Sequence, residues 1–113
     1  MKVTRSEHDG IPVLKLDGDF DSFETEVVRE GFEAIVAQGK HRVIFDLSGV
    51  SFANSTTIAY LITAQKRAGE MGGRLVLARP RDFLRKTLST LGLDAVFPMV
   101  ETLDAAATAL KSP

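Results

Sequence analysis

The residues best suited to chemistry fall in one run, Asn54-Ser55-Thr56-Thr57. Asparagine is a strong helix N-cap, and the chain from Ile58 onward has helical spacing of its apolar residues. With Asn54 as the cap, three hydroxyls occupy the first helical turn, where the amides lack partners and the helix dipole is positive. A phosphoryl group added to one of them would meet surroundings that favour an anion. In helical projection Ser55 shares a mostly apolar stripe with Ile58, Ala59, Ile62, Gln65 and Gly69. Thr56 shares a polar stripe with Tyr60, Thr63, Arg67 and Glu70. The expectation is therefore that Ser55 turns inward, that Thr56 faces solvent, and that Tyr60 is an exposed aromatic available for a partner contact. The plainer role for such hydroxyls is capping.

Other chemistry has less support. Asp9, Asp17, Asp19, Asp21 and Asp46 lie at or near expected strand ends, where carboxylates cap helices or face water. The two histidines, His8 and His41, stand beside strand starts without metal-ligand spacing and read as solvated surface residues. Gly72-Gly73 follows a helix and precedes a strand, the wrong context for a dinucleotide loop. There is no cysteine, which excludes thiolate chemistry and cysteine zinc sites. No catalytic residue, metal site or cofactor is expected.

The elements that must position the hydroxyl run follow from hydrophobic pattern. Asp9-Gly10 sits between two short strand-like runs, residues 2–8 and 11–16, and predicts a hairpin turn of positive φ. Gly18-Asp19-Phe20-Asp21-Ser22 breaks the pattern, with Asp21 or Ser22 as a cap. Residues 23–38 then carry Phe23, Val27, Val28, Phe32, Ile35 and Val36 at helical spacing, closed by Gly39. Residues 41–47 read as a buried strand and residues 48–53 as a connecting loop. The helix from Asn54 runs to about Met71 and stops at Gly72-Gly73. Residues 74–78 give another buried strand. Residues 82–91 give a helix with Phe83, Leu84, Thr87, Leu88 and Leu91 on one stripe. Residues 96–100 form an edge strand, since Pro98 has no N–H for a ladder. A last helix follows Thr102, burying Leu103, Ala106, Ala107 and Leu110. After the hairpin, strands and helices alternate. The fold class is α/β, a small, mainly parallel or mixed sheet of about five strands covered by about four helices.

Bulk composition narrows the function classes. The 113 residues are 44% hydrophobic and 26% charged with net charge −1, which fits one soluble domain spanning 1–113. No basic field exists to attract nucleic acid or an anionic membrane. No uncharged run approaches the roughly 18 residues of a membrane span, and no signal peptide precedes the first strand, so a cytoplasmic location is expected.

Several segments in order resemble the STAS family of anti-sigma factor antagonists. They are Leu16-Asp17-Gly18-Asp19-Phe20-Asp21, Asp46-Leu47-Ser48-Gly49-Val50-Ser51-Phe52, Asn54-Ser55-Thr56-Thr57, Gly72-Gly73-Arg74-Leu75-Val76-Leu77, Leu91-Gly92-Leu93 before Phe97-Pro98, and Leu103-Asp104-Ala105-Ala106. The resemblance implies a STAS fold and a non-enzymatic role in transcription regulation by partner switching. Family members bind a serine/threonine switch kinase that otherwise holds a sigma factor. That kinase phosphorylates a serine or threonine at the start of the second helix, and a phosphatase resets it. The family's acceptor positions fall on Ser55 and Thr56, with Thr56 placed ahead by its expected exposure, and the aspartate after its second strand falls on Asp21. Partner-binding residues by this resemblance are Asp21, Asn54, Ser55, Thr56 and Thr57, with Tyr60 beside them. The family's acidic residue is Asn54 here and its glycine is Thr57. Both departures favour docking over phosphorylation and keep a second reading open, a fixed STAS subunit of a lipid-transport ABC complex or stress-signalling scaffold. Binding of a nucleotide or other small ligand at the helix start is a third.

Overall fold

The computed structural model describes residues 1–111. Its elements run β1 (Lys2–His8), β2 (Ile11–Phe20), α1 (Thr25–Ala37), β3 (Arg42–Ala53), α2 (Ser55–Glu70), β4 (Arg74–Ala78), α3 (Asp82–Thr90), β5 (Met99–Val100) and α4 (Leu103–Lys111), with a short 3-10 turn at Leu93–Ala95. The order matches the sequence expectation. Asp9 and Gly10 have φ of 53° and 78°, the left-handed geometry of the tight β1–β2 turn.

The five strands form one sheet in chain order, β1 to β5, antiparallel between β1 and β2 and parallel thereafter. Alternation along the strands divides the interior. Leu14, Leu16, Val43, Phe45, Leu47, Leu75 and Leu77 face a large core with α1, α2 and α3. Val13, Ile44, Val76 and Ala78 face a smaller one closed by Ala106, Ala107 and Leu110 of α4. The inner strands β2, β3 and β4 thus bury both faces, as parallel strands do, while β1 is largely exposed. Among the described residues no helix is long and apolar enough to cross a membrane.

Four expectations need correction. Residues 48–53 are not a loop but the second half of β3, paired with Asp17, Gly18, Asp19 and Phe20 of β2 across two register shifts. The shifts accommodate the glycines that read as turn residues. Helix α1 begins at Thr25, later than expected, and neither Asp21 nor Ser22 caps it. Its N-cap is Glu24, without a side-chain bond, and Phe23 lies outside the helix. On α3 only Leu84 and Leu88 are buried, while Phe83, Thr87 and Leu91 form an exposed stripe. The last strand shrinks to Met99–Val100, because the Val96 and Phe97 N–H groups bond back to the Leu93 carbonyl at the end of the 3-10 turn; Pro98 contributes its carbonyl to the Leu77 N–H at 3.0 Å.

Candidate functional site

The parallel arrangement sends β2 and β3 out at the same end of the sheet, and the chain leaving each meets the other there. Beyond β2 come Asp21 and Ser22; beyond β3 comes Asn54, opening α2. The Asn54 side chain does two jobs. Its Oδ1 accepts the Thr57 N–H at 3.0 Å, and its Nδ2 donates to Ser22 Oγ at 3.1 Å. The first bond caps the helix, and the second ties the loop before α1 to the start of α2. Asp21 shapes that loop, its carboxylate accepting the Phe23 N–H at 2.9 Å and its carbonyl the Glu24 N–H at 3.0 Å.

Thr57 completes the cap from the other side. Its Oγ1 accepts the Asn54 N–H and donates to the Asn54 carbonyl, each at 3.0 Å, in a reciprocal capping box. The residue is 0% exposed, so its hydroxyl is fully committed. Ser55 and Thr56, by contrast, are both exposed. The expected inward turn of Ser55 does not occur. Its stripe through Ala59 and Ile62 is open on the surface, because the buried face of α2 is centred on Thr57, Ile58, Leu61, Ala64 and Ala68.

Tyr60 is the opposite correction. It is 6% exposed, not an exposed aromatic, and packs into the main core with the Arg29 guanidinium 5.0 Å above its ring centroid. The reason is α1, which lies along the flank of α2 that reads as polar. Arg67 of α2 forms an ion pair with Glu33 of α1 at 3.0 Å across the same seam. Burial pushes the Tyr60 phenol up to about 12.

The aspartates do not gather into a pair. Asp19 accepts the Ser51 hydroxyl at 2.8 Å, and Asp9 pairs with Lys111 at 3.5 Å. Asp46, 2% exposed, holds Arg79 and accepts the Ser48 N–H at 3.1 Å. Burial works to raise the pKa of Asp46, but hydrogen bonds from Arg79 and Ser48 and the Arg79 charge outweigh it and hold the carboxyl below its ordinary range. The histidines are partly buried, and His8 is not simply solvated, since its Nε2 meets Asp104 Oδ1 at 2.6 Å. His8, Asp9 and Asp104 are the candidate metal-ligating group among the described residues, their donor atoms within 4.8 Å of one another. Asp104 already pairs with His8 and Asp9 with Lys111.

What this end of the molecule offers is a rigid, capped helix start with two free hydroxyls, joined by Ser22 to a second loop. The link through Ser22 escapes a reading of the sequence because its bond to Asn54 spans 32 positions.

Comparison with known proteins gives a consistent picture. The STAS domain family model matches residues 2–106. An anti-sigma-F factor antagonist of Mycobacterium tuberculosis, RsfB, is 28% identical over 109 residues, covering 96% of this chain and 88% of that protein. The crystal structure of an anti-sigma factor antagonist from Mycobacterium paratuberculosis superposes with a TM-score of 0.87 at 26% identity, covering 98% of this chain and 94% of that one. The Bacillus cell fate determinant SpoIIAA in its phosphorylated form superposes with a TM-score of 0.74 at 21% identity, covering 96% and 98%; that likeness is one of fold.

Proposed function

From a chain that belongs to the STAS domain family, we propose an anti-sigma factor antagonist that binds an anti-sigma serine/threonine kinase in the cytoplasm through the start of α2. The observation that carries this reading is the exposure of Ser55 and Thr56 on a helix start whose cap is already satisfied by Asn54 and Thr57. Asp21 and Asn54 shape the docking surface, and Thr57 holds it from beneath. The chain is the substrate of phosphoryl transfer and not its catalyst. A Ser55 or Thr56 hydroxyl attacks the γ-phosphorus of the kinase's ATP, ADP leaves, and the hydroxyl proton passes to the kinase. The added dianion sits at the positive end of α2, where it is tolerated by the fold, and in the docking surface, where it opposes the complex. A phosphatase then restores the hydroxyl.

The exposure of both hydroxyls removes any preference for Thr56 based on burial. Intact-mass measurement after incubation with the kinase and ATP tests the reading. One added phosphate, lost in the S55A/T56A double variant and assigned by the single variants, supports it. An unmodified mass with no detectable complex overturns it.

The fixed-subunit reading has one observation in its favour. Thr57 replaces the glycine of the resembled motif with a buried side chain locked into the cap, which suits a permanent contact. It requires no phosphate uptake and no kinase complex, with a transporter ATPase rather than a kinase–sigma pair encoded beside this chain.

A further inference from the structure

Two aromatic side chains project from the end of the molecule that carries Ser55 and Thr56. Phe23 is 93% exposed and Phe52 45% exposed, although side chains of this size ordinarily lie inside. They come from different elements but share one rim. Ser22, the neighbour of Phe23, is bonded to Asn54 at 3.1 Å, and Phe52 precedes Asn54 by two residues. Neither belongs to a loose segment. The backbone of Phe23 is fixed by the Asp21 carboxylate at 2.9 Å. Phe52 stands in β3 opposite Asp19, whose carboxylate holds Ser51 at 2.8 Å.

The charge around the two rings is mainly negative: Glu24 meets the Met1 amine at 3.3 Å and Glu26 meets Arg29 at 3.2 Å, whereas Asp17, Asp19 and Asp21 form no ion pair among the described residues. Residues 16–28 and 43–65 contain no lysine or arginine, while Asp17, Asp19, Asp21, Glu24 and Glu26 fall in the first of them. A second copy of the chain would bring the same carboxylates face to face, which opposes self-association through this rim. The matching surface is an apolar recess bordered by basic groups.

We propose that Phe23 and Phe52 are the anchors by which this chain seats on its protein partner, entering an apolar recess edged with lysine or arginine. The inference rests on the antagonist reading and names the residues that supply its binding energy. Large, pre-ordered aromatic side chains lose little freedom on binding and account for a disproportionate share of interface energy.

Isothermal titration of the full chain against the anti-sigma serine/threonine kinases of its own genome, one at a time, tests this. F23A and the F23A/F52A double variant are compared with F83A, which removes an exposed aromatic from α3 instead. F23A is expected to weaken binding at least about tenfold and the double variant further, with F83A within about twofold of wild type. The melting temperature of F23A should match wild type, since the ring is in solvent, so the loss reports contact rather than folding. Wild-type binding that F23A/F52A leaves unchanged overturns the inference while the antagonist reading stands. Absence of wild-type binding overturns the antagonist reading itself. Sedimentation equilibrium of the chain alone gives a monomer if the partner is a different protein; a dimer abolished by F23A overturns the inference in favour of a second copy.

Discussion

Asn54 and Thr57 each hold the other's backbone amide, the Thr57 N–H donating to Asn54 Oδ1 and the Asn54 N–H donating to Thr57 Oγ1, both at 3.0 Å. The pair fixes the first turn of α2 and leaves Ser55 and Thr56 between them with nothing structural to do. Asn54→Ala removes one bond of the box and the tie to Ser22, and is expected to cost about 1–2 kcal/mol in urea unfolding. Asn54→Asp keeps the acceptor and adds a charge at the positive helix end, so it should be neutral or stabilising by about 0.5 kcal/mol. Equal stability of the alanine variant and wild type would show that the box contributes nothing.

Asp46 and Arg79 give a prediction about pH. The folded carboxyl ionises below its ordinary range, so its contribution to stability is complete above the unfolded pKa of about 4 and disappears as pH falls through the lower folded value. Arg79→Met leaves the buried carboxylate without its cation and should cost about 1–3 kcal/mol at pH 7, discounted from a fully buried pair because Arg79 is half exposed. With the cation gone, only the Ser48 hydrogen bonds oppose burial, so the Asp46 pKa rises from its wild-type value. The deficit of the variant should therefore shrink between pH 7 and pH 3. Parallel urea midpoints for the two proteins across that interval would contradict the assignment.

Tyr60 titrates in the other direction. Burial raises its phenol to about 12, so the stability it contributes is whole below the unfolded value of about 10 and is lost as pH climbs toward the folded one. Tyr60→Phe should leave neutral-pH stability within about 1 kcal/mol of wild type, since the hydroxyl has no protein partner. The variant should also resist alkaline unfolding better. Melting curves from pH 8 upward that fall identically for both would refute this. Because the ring lies in the core, kinase binding by Tyr60→Phe should equal that of wild type.

Gly72 and Gly73 end α2 for different reasons. Gly72 has φ of 79° with open space around it. At Gly73 a Cβ would lie 1.9 Å from the His41 carbonyl oxygen, which itself accepts the Arg74 N–H at 3.0 Å. Gly73→Ala must push backbone against backbone where β3 and β4 begin, and should cost more than about 2 kcal/mol. Gly72→Ala pays only for its dihedral angle, about 1 kcal/mol. A calorimetric ranking with Gly72→Ala the more damaging would reverse the argument.

The parts of this fold legible in the sequence are those set by local signals. Asp9-Gly10 specifies its turn through backbone preference alone, and Asn54 specifies the start of α2 because a cap acts within its own turn. The rotational setting of α2 is not local. Periodicity marks one apolar face, but two neighbours flank the helix, so α1 covers Tyr60 on a stripe that reads as polar while Ser55 and Ile62 remain open. The strand character of residues 48–53 is hidden for a related reason: serine and glycine read as a turn until β2 is seen to continue beside them through Asp17 and Gly18. Phe23 misleads because apolarity predicts burial on average, and a docking residue departs from that average.

The sheet is laid down in the same sequence as the chain itself, each strand beside its predecessor. A nascent chain can therefore dock every new segment onto a platform already present, starting from a hairpin that closes locally, without waiting for a distant strand to complete an interior position. The smaller core is the exception, since among the described residues α4 is its only helical cover and follows all five strands. Until α4 follows, Val13, Ile44 and Val76 remain uncovered on that side, which makes the docking of that helix the step at which this domain stops being sticky.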